Sequence, residues 1–183
     1  MVTRLSIRMS QLTGIKDFWI FVRGDLKMEP CEIDTGRVRQ FSHTADIGII
    51  ARANNLEGLF SLCCSGLVEV IAGRSIKKLN ADLGNGLDRR HLELKMNGHD
   101  LENLLVTFLT EILYRLEADN LLVLSSFVNL NLEENSLRVS FECVEYDSEE
   151  HGYFREVKAV TYHQISIEKC EDETWAARVI FDL

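Results

Sequence analysis

The chain of 183 residues is poor in positive charge, with 20 Lys and Arg against 29 Asp and Glu and a formal net charge of -9. Phosphate backbones are gripped by cations that displace condensed counterions, so direct nucleic-acid binding is not expected. Long apolar runs are also missing. The longest near the start, residues 18–22, covers five residues, far short of the roughly 20 that span a bilayer and unlike a secretory h-region. Neither membrane insertion nor secretion is expected, and a cytoplasmic location is. The five cysteines, at 31, 63, 64, 143 and 170, show no CxxC spacing and no accompanying His-x3-5-His. A zinc knuckle is therefore not expected, and reduced thiols are the simplest reading. No GxxxxGK(S/T), strand-linked GxGxxG, HExxH or GxSxG occurs, which removes the commonest phosphate-loop, zincin and serine-hydrolase signatures.

What remains is an ordinary soluble composition, 46% hydrophobic and 27% charged, in a length that suits one compact domain. Residues 1–36 hold five bases and five acids, so the whole excess of negative charge lies beyond Gly36. Residues 133–183 alone carry 13 acids against 5 bases. The acid runs at 147–150 and 171–173 read as solvated loops. The single proline, Pro30, sits in a loop-like stretch ending at Gly36, so residues 1–36 are read as an N-terminal appendage and 37–183 as the folded unit. Met28 offers an alternative start.

Residues 46–53 alternate as a half-buried strand does, with Ile47, Ile49 and Ala51 on one face. Leu56, Leu59, Phe60, Cys63, Leu67, Val70 and Ile71 recur at three and four, predicting an amphipathic helix capped by Asn54 or Asn55 and stopped by Gly73. A turn at Gly84-Asn85-Gly86 leads to a strand through Leu92, Leu94 and Met96. Asp100 then caps a second helix with a stripe from Leu101 to Leu116. After Asn120 the period becomes two, and Val128, Leu130 and Leu132 face Leu137, Val139, Phe141 and Cys143 across a turn at 133–136. Two more strands follow, over 157–168 and from Trp175 to the C-terminus. The expected class is α+β, a mostly antiparallel mixed sheet with two main helices packed on it.

Few residues invite chemistry. Cys63 lies on an apolar helix stripe and reads as core rather than nucleophile. His43-Thr44-Ala45-Asp46 clusters polar groups at the entry to a buried strand, although local turn hydrogen bonds of Thr44 and Asp46 and packing of His43 are the simpler account. Asp182 and the carboxylate of Leu183 adjoin at the end of the last strand, either as a solvated tail paired with Arg178 or Lys158 or as part of a site. Several carboxylates brought together repel or protonate unless a cation joins them. If the last strand ends beside Asp46, then Asp46, Asp182 and the Leu183 carboxylate form an all-oxygen set suited to Ca²⁺, Mg²⁺ or Mn²⁺.

Four segments, in order, resemble the archease family. They are Phe41-Ser42-His43-Thr44-Ala45-Asp46-Ile47-Gly48-Ile49, the helix from Asp100-Leu101-Glu102-Asn103 to Tyr114, Lys158-Ala159-Val160-Thr161-Tyr162-His163, and the ending Arg178-Val179-Ile180-Phe181-Asp182-Leu183. The resemblance covers residues 37–183. It implies a non-catalytic cofactor of an RtcB-type RNA ligase in tRNA splicing and RNA repair, promoting guanylylation of the ligase's histidine and multiple turnover. It places a divalent metal at Asp46, Asp182 and Leu183, with His43, Lys158 and His163 as candidates for lining the site. Two features depart from the family pattern: residues 1–36 have no counterpart, and Gly152-Tyr153-Phe154-Arg155-Glu156 lacks the usual Gly-x-Glu. The alternatives are a metal-dependent hydrolase using the same carboxylates and a chaperone-like module using the apolar N-terminal patch. An edge strand also offers a route to a homo-oligomer.

Overall fold

The structure, a computed structural model, describes residues 29–43, 46–83, 88–147, 152 and 154–183. The apolar run at 18–22, Met28, Thr44, the turn at 84–86 and most of the acid run at 147–150 lie outside the described residues. Among the described residues, seven strands and three helices follow a short 3-10 turn at Pro30–Glu32. They are β1 (Arg37–His43), β2 (Asp46–Ala53), α1 (Leu56–Ala72), α2 (Ile76–Leu83), β3 (Arg89–Asn97), α3 (Leu101–Asp119), β4 (Leu121–Asn131), β5 (Ser136–Glu145), β6 (Ala159–Lys169) and β7 (Trp175–Asp182).

The class is α+β, as expected, but the strands divide into two antiparallel sheets: β1-β2-β7-β6 (sheet A) and β3-β5-β4 (sheet B). The two long helices lie between them. α1 packs on β1, β2 and β7 of one sheet and on β4 of the other, while α3 packs on β6 and on β3 and β4. Each sheet therefore turns one face inward, and alternation selects it. Ile47, Ile49 and Ala51 of β2 and Ala177, Val179 and Phe181 of β7 join a main core with Leu137, Val139, Phe141 and Cys143 of β5. Phe108 on α3 bridges the layers, its ring 5.7 Å from Phe60 on α1 and 5.7 Å from Phe141 on β5.

The helix ends follow from local chemistry. Asn55 accepts from Gly58 N at 2.8 Å, and Gly73 ends α1 at φ 63, a backbone conformation that costs glycine little. Asp100 caps α3 by accepting from Asn103 N at 2.7 Å. Helix α2 was not anticipated from the sequence; it buries only Leu79, so its apolar stripe is too narrow to read. The hairpin forms as expected, with Leu130 against Leu137 and Val128 against Val139, whereas Leu132 lies in the turn beyond β4 and is exposed. Its turn is held by Asn131 Oδ1, which accepts from the amides of Glu133 and Glu134.

The five cysteines are not all thiols. Cys31 and Cys170 form a disulfide across a separation of 139 residues, which corrects the reading from spacing. Sequence separation hides such a pairing, because only the fold brings the two Cα atoms to 5.7 Å. Cys63, Cys64 and Cys143 are free and buried. Burial pushes the Cys64 thiol up to about 12 and Cys143 to about 11, and raises Cys63 further, so they are packing groups and not nucleophiles. The described end of the appendage is in contact with the domain, with Pro30 and Ile33 buried and the 3-10 turn packed against β2 and β7.

Candidate functional site

One end of sheet A collects the residues singled out in the sequence. Strand β2 begins at Asp46 and β7 ends at Asp182, and their antiparallel register pairs Ile47 with Phe181. The next rung outward therefore places Asp46 beside Asp182. The flanking strands continue the row, since β1 pairs His43 with Asp46 and β6 pairs Ala159 with Asp182. Ile47 and Phe181 point into the core, so alternation puts the Asp46 and Asp182 side chains on the outer face. Asp46 is half-buried and Asp182 exposed.

The chain end is fixed rather than frayed. Lys158 N donates to Asp182 O at 2.9 Å, and Lys158 Nζ donates to Leu183 O at 2.7 Å. The Leu183 side chain packs on the main core. A half-buried apolar side chain and an ammonium thus hold the terminal carboxylate at the sheet end, where termini ordinarily fray. Arg178, the other cation considered for the terminus, has its guanidinium 5.2 Å from the Phe41 ring centroid. Phe41 in turn lies across Gly48, where a Cβ would meet Phe41 Cζ at 2.1 Å. The glycine in the opening motif makes room for this ring.

His163 is placed differently. β6 pairs Thr161 with Ile180 and then Ser166 with Arg178, so four residues, 162–165, oppose only Val179. This bulge carries His163, exposed, off the rung that holds the carboxylates. Beside it, Asn103 Nδ2 donates to the Tyr162 hydroxyl and Ile167 N donates to Glu102 Oε1, tying the bulge to the start of α3. Nothing in the sequence pattern marks it. Gln164 takes φ 53 without being glycine, and the regular alternation of Ile165 and Ile167 with Ser166 and Glu168 reads as an unbroken strand. The side chain of His43 lies outside the described residues.

Among the described residues, no three or more His, Cys, Asp or Glu side chains form a metal-holding group. The carboxylate row differs in kind: two side chains and a main-chain terminus. Its donors are all oxygen, the set that hard divalent cations prefer over thiolate or imidazole. Two shallow concavities lie elsewhere, one of about 370 Å³ between Ile71, Leu113, Tyr146 and Phe154 and one of about 410 Å³ on sheet B around Phe127 and Arg138. Neither includes a residue of the row.

A two-sheet α+β sandwich around two helices, closed at one end by a carboxylate row, defines a class that the comparisons name. The profile of the Archease protein family matches residues 39–183, and the chain belongs to that family. It is 34% identical over 149 residues to Protein archease of Thermococcus gammatolerans, covering 80% of this chain and 99% of the relative. It is 31% identical over 145 residues to Protein archease of Pyrococcus furiosus, covering 78% and 96%. The solution structure of Methanobacterium thermoautotrophicum protein 1598 superposes with a TM-score of 0.59 at 29% identity, covering 81% of this chain and 99% of that one.

Proposed function

We propose that this protein is a non-catalytic cofactor of an RtcB-type RNA ligase, serving tRNA splicing and RNA repair by promoting guanylylation of the ligase's histidine and multiple turnover. The supporting observation is the register that sets Asp46 beside Asp182 with the Leu183 carboxylate adjoining. In this reading Asp46, Asp182 and the Leu183 terminus hold a divalent cation, Ca²⁺, Mn²⁺ or Mg²⁺. When bound, such an ion supplies positive charge that can stabilise a transferring phosphoryl group. The chain's own part is positional. Sheet A fixes the two side chains on neighbouring strands, and the Lys158 ammonium pins the terminus. The acidic surface, which should keep RNA away, does not hinder docking at a protein that holds nucleotide and metal.

The test is ligase guanylylation with GTP and Mn²⁺ in the presence of the wild-type chain or its variants. Asp182→Ala, and separately one residue added beyond Leu183, should lose stimulation by at least about tenfold, equivalent to about 1.4 kcal/mol, with circular dichroism unchanged. Full stimulation by both variants overturns the metal-edge reading. Absence of stimulation by the wild type overturns the ligase reading itself and returns the choice to a hydrolase or a binding module.

A further inference from the structure

We propose that the Cys31–Cys170 disulfide is a thiol-reducible latch that keeps an N-terminal strap, residues 29–36, on the outer face of sheet A. The strap precedes the family match, which begins at residue 39. The 3-10 turn of the strap packs on β2 and β7, and the outer face of these strands is apolar in its own right. Ile50, Ala176 and Ile180 are almost fully buried, yet they stand outside the main core. They alternate with the inward residues of β2 and β7, which puts them on the opposite face. Ile33, 1% exposed, is likewise buried outside the main core.

Arg52 organises the contact from the rung it shares with Ala176. Its Nη1 donates to Cys31 O at 2.6 Å and to Ile33 O at 2.8 Å, while Nη2 reaches Asp172 Oδ2 at 2.6 Å and Nε reaches Thr174 Oγ1 at 2.9 Å. One guanidinium therefore joins the strap to the β6–β7 turn that carries Cys170. Gly36, at φ 77, donates to Arg52 O at 2.7 Å and turns the chain into β1. Among the described residues, the non-covalent hold on the strap comprises the buried side chains of Pro30 and Ile33, three hydrogen bonds to its backbone and an exposed Asp34–Arg37 ion pair. Ordering eight backbone residues opposes these contacts. The covalent link removes most of that entropic cost and decides the balance.

Opening proceeds by ordinary thiol exchange. Cys31 is half-buried and Cys170 only 7% exposed, so a thiolate of the glutathione or thioredoxin class attacks Cys31 Sγ. The Cys31–Cys170 bond breaks, and Cys170 leaves as a thiolate that takes a proton from water. A second reductant thiol then displaces Cys31 from the mixed disulfide. Two reductant thiols become one disulfide, and the protein gains two thiols. The acid run Glu171-Asp172-Glu173, read from sequence as a solvated loop, adjoins the leaving sulfur. Arg52 pairs with Asp172 and Lys169 with Glu173, so most of the charge beside the leaving sulfur is balanced and access at Cys31 governs opening. Opening uncovers the apolar layer around Ala176, at the end of sheet A opposite Asp182.

The full chain, purified without reductant and alkylated after denaturation, should show three modifiable cysteines, rising to five after dithiothreitol. Native hydrogen exchange should then show amides of residues 31–36 exchanging at least tenfold faster in the reduced protein, with α1 and β7 unchanged. Cys31→Ser should reproduce that pattern without reductant. Five modifiable cysteines after equilibration with oxidised glutathione overturn the latch. So does strap exchange that reduction leaves unaltered, and so does loss of protection in β7 together with the strap.

Discussion

Arg52 and Glu142 show how differently two charged residues of a sheet are used. Arg52 spends its guanidinium on four oxygens and holds a turn, a strap and a strand together. Glu142 lies on β5, where a hydrogen bond from Arg89 and a second from Ser125 hold its carboxyl below the usual value of 4.5. A lowered folded-state value adds stability that is fully present above pH 4.5 and is lost as pH falls through the lowered value. Glu142→Gln should therefore be less stable than wild type at neutral pH, with the gap closing in acid; urea melts at pH 7, 5 and 3 would measure this. At Gly98 steric space is the constraint. A Cβ there would meet Leu104 N at 2.8 Å and Leu104 Cα at 2.9 Å, and a helix backbone cannot swing aside as a side chain can. Gly98→Ala should cost about 1–3 kcal/mol, measured as a shift in the denaturation midpoint.

At the scale of elements, the two helices do the joining. α1 and α3 each touch both sheets, and Phe108 is the side chain through which α1, α3 and β5 meet. Phe108→Ala should lower stability by about 3–5 kcal/mol in chemical denaturation, and soften both sheets together, because its ring touches both Phe60 and Phe141. The β6 bulge is the complementary case, an element defined by interruption. By inserting 162–165 against one residue of β7, it turns Tyr162 toward α3 and leaves only the first part of the Lys158 to His163 motif at the carboxylate row. The motif thus has two structural duties, one at each side of the bulge.

Across the whole molecule, charge and topology are coupled. Among the described residues, no single helix is long and apolar enough to cross a membrane, and the charge of -9 belongs to a chain whose carboxylate row closes one end of a sheet. If that row holds a cation, binding must stabilise the folded state, since the unfolded chain separates Asp46 from Asp182 by 136 residues. Ligand at about 100 times its dissociation constant adds about 2.7 kcal/mol. Millimolar Ca²⁺ or Mn²⁺ should accordingly raise the melting temperature of wild type and leave that of Asp182→Ala unmoved; equal shifts in both would place the cation elsewhere.

The sequence by itself determined what depends on neighbours in the chain: the Asn55 and Asp100 caps, the Gly73 stop, the 133–136 turn, and the inward faces of β2, β5 and β7. These are set by local hydrogen bonding and by the periods of helix and strand. Its motifs also singled out Asp46, Asp182 and Leu183, and the hypothesis that β7 ends beside Asp46 matches the observed register. Tertiary structure alone decided the division into two sheets, the short helix α2, the bulge that moves His163 aside, and the union of Cys31 with Cys170. Each of these depends on which distant surfaces meet, and alternation or spacing along the chain contains no term for that.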